Sequence, residues 1–156
     1  MLYRKRAWDI MHDDFPKVDE EVSIKDVILK IQESRKVYPG NNSAVVLSKA
    51  GKLSGIITTW DIVKKMGPEL LKNASKVKDT ENYEKAFKLS CELGAQADIR
   101  KVYQKEAARI RPNDTLARVL EAFLDYRQDI AVVEEGDKVM GAIMLDDVYR
   151  EIAVKV

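Results

Sequence analysis

Cysteine and histidine are nearly missing from this chain: Cys91 and His12 are each the only residue of their type. One thiol excludes an intrachain disulfide and a thiolate zinc cluster. A lone imidazole far from that thiol leaves little material for a hydrolytic triad or a multi-histidine metal site. By spacing, Cys91 falls on the apolar side of a helix, the place of a small buried hydrophobe. A surplus of one charge is missing too, since 27 Lys and Arg stand against 26 Asp and Glu for a formal net charge of +1. Nothing global therefore directs the chain to nucleic acid or to a membrane surface. No segment approaches the roughly 20 apolar residues of a membrane span. The basic run Tyr3-Arg4-Lys5-Arg6 lacks the apolar stretch of a signal peptide, so a cytoplasmic location is expected.

What is present is a duplicated pattern. A length of 156 residues suits one well-buried core or two small halves that share one. Lys17 to Ile24 aligns with Arg109 to Leu116 at a constant offset of 92. Beyond it, Ile24, Val27, Ile28 and Ile31 match Leu116, Val119, Leu120 and Phe123 at the i, i+3, i+4, i+7 spacing of an amphipathic helix. Ser23 with Asp26 forms a capping-box start to the first helix, and Asp114 or Thr115 caps the second. Two β-branched runs follow, Ala44 to Leu47 and Ile130 to Val133, each leading through a glycine-containing turn into a second strand, Leu53 to Thr58 or Val139 to Met144. Each half thus reads as helix, strand, strand, helix, and each begins with its helix.

The segment 67–97 between the halves carries helical signals of its own. Pro68 suits a first helical position, and a second helix starts at Asp79 or Thr80 and ends at Gly94. The organisation expected is a first repeat at 1–66, a helical insertion at 67–97 and a second repeat at 98–156. A single unit exposes an apolar sheet face that it cannot cover, so the halves are expected to pack sheet to sheet about a pseudo-twofold axis.

The chemistry-bearing segment is Gly55-Ile56-Ile57-Thr58-Thr59-Trp60-Asp61, partly repeated as Gly141-Ala142-Ile143-Met144-Leu145-Asp146-Asp147. In each, a strand runs into a helix whose first turn holds a carboxylate. Thr58 and Asp61, three residues apart at a strand exit, have the chemistry to hold a sugar: an ionised carboxylate accepts from vicinal hydroxyls. The same pair also reads as a capping box with no ligand at all. In the second copy Met144 removes the hydroxyl while Asp147 persists, although an acid there is also favoured by the helix dipole.

These two segments, with the preceding Ala-Val-Val strands and the lead-ins Trp8-Asp9-Ile10-Met11 and Ile99-Arg100-Lys101-Val102-Tyr103, resemble a tandem pair of cystathionine-β-synthase-type (CBS) domains, or Bateman module. The resemblance covers all but the insertion. It implies an α+β fold of two pseudo-twofold-related repeats and a non-catalytic regulatory module. Its ligand would be an adenosine derivative such as AMP, ADP, ATP or S-adenosylmethionine, held in clefts between the repeats, with no required cofactor. The ribose-binding positions of the family fall on Thr58 and Asp61 in the first repeat and on Asp147 alone in the second, so the first site is expected to be the stronger. The adenine candidates are Val18, Ser43, Val45, Ile110, Ile130 and Val132. The phosphate-side positions Asn41, Asn42, Gln128 and Asp129 carry no cation, and Asp129 would repel a polyphosphate, which favours AMP or a zwitterionic adenosyl ligand over ATP unless Arg127, Lys105, Arg109 or His12 compensates. His12 otherwise reads as a surface or helix-end residue.

Related modules associate as homodimers through their helices, and a regulated protein partner is part of what the resemblance implies. A structural dimerisation module with a decayed pocket is the alternative, supported by Met144 and the neutral phosphate side. The carboxylates are too scattered to suggest an enzyme. Nucleic-acid binding through Arg4-Lys5-Arg6, Lys72, Lys76 and Lys78 is disfavoured by interleaved acids such as Glu69 and Asp79.

Overall fold

Two three-stranded sheets form the centre of the computed structural model, which describes residues 5–156. Tyr3 and Arg4 of the basic run lie outside the described residues. The first sheet consists of β1 (Lys17–Asp19), β2 (Ser43–Leu47) and β3 (Leu53–Thr58) in that order, and the second of β4 (Ala108–Ile110), β5 (Ile130–Glu135) and β6 (Lys138–Met144). The helices are α1 (Ala7–Ile10), α2 (Ile24–Ser34), α3 (Thr59–Ala74), α4 (Thr80–Gly94), α5 (Leu116–Tyr126) and α6 (Leu145–Ala153). This is the α+β pair of repeats expected from the sequence.

Local chemistry accounts for most element boundaries. Ser23 and Asp26 close a capping box on α2, and Thr115 accepts from the Arg118 amide at the start of α5. The hairpins turn at Gly51 and Gly136, whose φ values of 79° and 61° suit a residue without a β-carbon. One difference concerns how each half begins. A three-residue strand precedes the helix, with β1 parallel to β2 and β4 parallel to β5. Three residues are too few to display a period, and these strands exist because the neighbouring strand supplies their hydrogen bonds.

Alternation along the strands divides the core into layers. Ala44, Val46 and Ile57 face the helices of the first repeat, while Ala131, Val133 and Ile143 do the same in the second. The opposite faces meet each other: Val45 and Ile56 pack with Ile130, Val132, Ala142, Phe15 and Ala107. Burying an aliphatic side chain of this size stabilises by about 1.5–3 kcal/mol, so neither sheet could leave this face open.

The lead-ins are exchanged. Ala7 is buried in the core of the second repeat, with Ile10 and Met11 packed against it, and Ile99 is buried in the core of the first, with Val102 and Tyr103 beside it. Backbone bonds fix the exchange: the amides of Ala7 and Trp8 donate to Asp114 and Pro112 carbonyls, and the amides of Ile24 and Lys25 donate to Ala97 and Ala95. Each repeat is thus completed by the segment that precedes the other.

The insertion also departs from expectation. Pro68 stands inside α3 instead of starting a new helix, so α3 runs unbroken from the motif to Ala74. Proline there removes one hydrogen bond of the helix, and packing against α4 holds α3 together: Met66 lies against Gly94 and Asn73 Nδ2 donates to the Ser90 hydroxyl. The second helix starts after the Asp79 cap and ends at Gly94 as its sequence predicts. No residue of α4 is buried, so Cys91 is only half-buried and not a core residue. The element packed most closely against α4 is α3.

Candidate functional site

The only buried carboxylates among the described residues are Asp61 and Asp147, 8% and 7% exposed, each in the first turn of the helix that follows a hairpin. At the first, the Thr58 amide donates to Asp61 Oδ2 at 2.9 Å, the Thr58 hydroxyl donates to the same oxygen at 3.0 Å, and the Asp61 amide returns a bond to Thr58 Oγ1 at 3.2 Å. The capping box therefore exists. It leaves Oδ1 free of bonds from its own helix, and that oxygen faces the other repeat: Gln104 Nε2 lies 3.2 Å from Oδ1 and 3.0 Å from Oδ2.

Gln104 reaches this place because its backbone adds a rung to β3. Its amide donates to the Ile56 carbonyl at 2.8 Å, and the Ile56 amide donates to its carbonyl at 2.9 Å. Its side-chain oxygen accepts from Gln128 Nε2 at 3.2 Å, while Gln128 Oε1 accepts from the Ala108 amide at 2.9 Å. Gln104, Lys105, Glu106, Asp125, Tyr126 and Gln128 line an open cleft of about 640 Å³. Neither Thr58 nor Asp61 belongs to that lining; Gln104 lines the cleft and bonds the carboxylate.

The second site repeats the arrangement with different side chains. His12 forms the equivalent rung on β6, exchanging backbone bonds of 2.8 and 3.0 Å with Ala142, and its Nε2 lies 2.8 Å from Asp147 Oδ1. Asp147 Oδ2 accepts from the Met144 amide at 2.8 Å, and Arg150 approaches Oδ1 at 3.4 Å. Trp8, Met11, His12, Asp13, Asp14 and Tyr38 line the adjoining cleft of about 460 Å³. The Tyr38 ring meets His12 edge-on at 4.9 Å, and its hydroxyl donates to Asp14. Burial, then the Asp14 carboxylate, push the Tyr38 phenol well above its ordinary range, so it stays a donor.

Strand register places the adenine candidates. Ser43 lies opposite Thr58 and Val45 opposite Ile56, and Ile130 and Val132 pair with Met144 and Ala142. Directly opposed residues share a face, so Ser43, Val45, Ile130 and Val132 all point toward the junction of the sheets. Val18 and Ile110 do not join them. They are equivalent positions on β1 and β4, and both pack under helices in the separate cores of their repeats. Ser43 is fully buried, and its hydroxyl is the one buried side-chain polar atom without a partner among the described residues. Of the phosphate-side positions, Asn41 is buried and bonded to Ser34 and Ser43, and Asn42 accepts from an Arg35 guanidinium at 2.9 Å. The Asn42 carbonyl in turn accepts from the Thr59 amide, so Arg35 stands two hydrogen bonds from the motif.

The sequence reading missed Gln104, Arg35 and the bond made by His12. A signal for the first and last was present, because His12 and Gln104 are related by the offset of 92 that relates Lys17 to Arg109. Nothing in spacing shows that each crosses to the other repeat.

A family model described as "CBS domain" matches the chain at residues 7–67 and 99–154. No curated protein matches it. Among solved structures, the chain is similar to a CBS domain-containing protein of unknown function from Kribbella flavida, at 14% identity over 96% of this chain and 98% of that one, with a TM-score of 0.72. The CBS domain of a membrane protein from Sphaerobacter thermophilus is 17% identical over 96% and 88%, with a TM-score of 0.73. The cytosolic domain of the Mg2+ channel MgtE, solved in complex with ATP, is 15% identical over 95% of this chain and 49% of its own, with a TM-score of 0.63. Identities this low establish a shared fold.

Proposed function

The chain belongs to the CBS-domain family, and from that premise we propose that it is a regulatory, non-catalytic module that binds an adenosine derivative in the two clefts between its repeats. The observation that carries this reading is the pair of buried aspartates at matching positions. Burying a carboxylate is costly, and a cap would work as well at the surface. Both carboxylates instead lie at junctions of the two repeats, behind clefts open to solvent. Asp147 keeps this position although Met144 supplies no hydroxyl to a box.

The proposed grip for ribose is Asp61 with Thr58 in the first cleft and Asp147 in the second. Ser43, Val45, Ile130 and Val132 supply the face for adenine, and the unpartnered Ser43 hydroxyl would meet an edge nitrogen. AMP is favoured as ligand. The first cleft carries Lys105 with Glu106 and Asp125, while the second carries Asp13 and Asp14, which oppose a polyphosphate. The complex of the MgtE domain with ATP supports a nucleotide for this fold without selecting the number of phosphates.

A homodimer built through helices belongs to the same proposal, with exposed Trp60, Val63 and Leu71 on α3 and Leu145, Tyr149 and Ile152 on α6 as its contact residues. The repeats at 1–66 and 98–156 and the insertion at 67–97 are its working units, and a cytoplasmic setting is retained. The alternative, a structural dimerisation module, is favoured by one observation: both aspartates already have protein partners across the repeat boundary.

Calorimetric titration of AMP, ADP, ATP and S-adenosylmethionine decides between them. Losing a charged hydrogen-bond acceptor costs about 1.5–3 kcal/mol, so Asp61→Ala is expected to weaken the tighter site roughly ten- to hundredfold. Asp147→Ala should remove only the weaker one. If no compound binds the wild type, the sensor reading gives way to the structural one.

A further inference from the structure

His12 and Gln104 do more than complete the sheets. Each projects a nitrogen onto the buried aspartate of the opposite repeat, at 2.8 Å for His12 and 3.0 Å for Gln104, and each also lines the cleft in front of that aspartate. A vicinal diol seeking the same carboxylate oxygens must take the place of that nitrogen. We propose that these two residues are exchangeable latches, each held in the free protein by the ribose-binding aspartate of the other repeat and released when a ligand diol replaces it. This rests on the ligand reading above.

The two latches are chemically unequal. Gln104 is an amide with no charge to gain, and its release also removes one bond of Gln128, which keeps those to Glu106 and Ala108. His12 is an imidazole, the side chain whose charge changes between about pH 5 and 8. Protonation adds an ion pair to its hydrogen bond with the Asp147 carboxylate and so strengthens the contact. The charged and titratable groups around it are Asp147 and Arg150 from α6, Tyr38 from the loop after α2, and Asp13 and Asp14 from its own segment. Three of these are carboxylates, Tyr38 stays a neutral phenol, and the basic Arg150 is also bonded to Asp146 at 2.7 Å. The second cleft is thus closed more firmly in acid, and the first is indifferent to pH over the same range.

Adenosine is the probe of choice, because it offers the diol without a phosphate that would itself respond to a charged imidazole. With the first cleft silenced by Asp61→Asn, adenosine should bind about fivefold more weakly at pH 5.5 than at pH 8. Adding His12→Gln, which installs the latch of the first cleft, should abolish that difference. Since His12 is the only histidine, its ring carbon-bound protons give single, unambiguous NMR signals in the unmutated protein, and these should shift on saturation with adenosine. Equal affinity at both pH values together with unmoved imidazole signals overturns the latch while leaving the ligand reading intact. Failure of adenosine and all four nucleoside ligands to bind the wild type at either pH overturns both.

Discussion

A β-carbon on Gly55 would stand 2.0 Å from the carbonyl oxygen of Gln104. No side chain fits between them, because the Gln104 backbone is bonded to Ile56 as an added rung of the first sheet. The corresponding distance from Gly141 to the His12 oxygen is 2.7 Å, with Met11 Sδ at 3.1 Å. The glycine that opens each motif is thus a requirement of the exchanged lead-in, and only indirectly of any ligand. Gly55→Ala and Gly141→Ala should both destabilise, by about 1–3 kcal/mol for an overpacked site. The first should be the worse, since its clash with backbone is the closer, 2.0 against 2.7 Å; urea denaturation of the two variants checks the order.

Ser43 offers a separation of stability from binding. An unpartnered buried hydroxyl costs about 1–3 kcal/mol, and Ile130 shows that the equivalent strand position works without one. Ser43→Ala should leave the free protein as stable as wild type or more so, and weaken AMP at the first cleft. Thermal melting with and without AMP reads both effects; a less stable free protein with unchanged affinity would show that the hydroxyl has a structural partner.

Ile56 lies at the sheet-to-sheet junction and is fully buried. Truncation to alanine at such a site costs about 2–5 kcal/mol. Because the junction is one core for both repeats, Ile56→Ala should lower a single cooperative transition. Two separated transitions in calorimetry would mean that the halves fold independently.

The Asp79 cap of α4 makes the insertion sensitive to acid. The Asn82 amide, and then the Asn82 side chain, donate to the Asp79 carboxylate and hold it below the usual carboxylate range. Its folded value is lower than its unfolded value of about 3.9, so the cap is fully effective above the latter and lost as pH falls through the former. Hydrogen exchange in the first turn of α4 should accelerate below about pH 4. Asp79→Ala should show the faster exchange already at neutral pH, with α3 and the sheets unaffected.

The doubled pattern was legible because it is written in local chemistry. Ser23 with Asp26, Thr115, Asp79 and the turn glycines each act within three or four residues, and the apolar periods of α2 and α5 recur at a constant offset. The same locality explains why Thr58 and Asp61 stood out, and why cap and grip were not separable there. Misreadings arose where a distant partner overrules the local signal. Pro68 alone predicts a helix start, but contacts of α3 with α4 carry the helix through it. Val18 and Ile110 look like any other strand valine or isoleucine until the pleat assigns them to the helix-facing side.

By itself, then, the sequence determined two repeats, the hairpin of each with the helices on either side, and two aspartates at equivalent helix starts, since all of these follow from residue type at short spacing. Only the tertiary structure decided that the lead-ins change places. That exchange brings His12 to Asp147 and Gln104 to Asp61 across 135 and 43 residues of chain. The physical reason is that a three-stranded sheet leaves an edge of unpaired backbone groups beside each motif glycine, and the segment close enough to pair with that edge belongs to the other repeat.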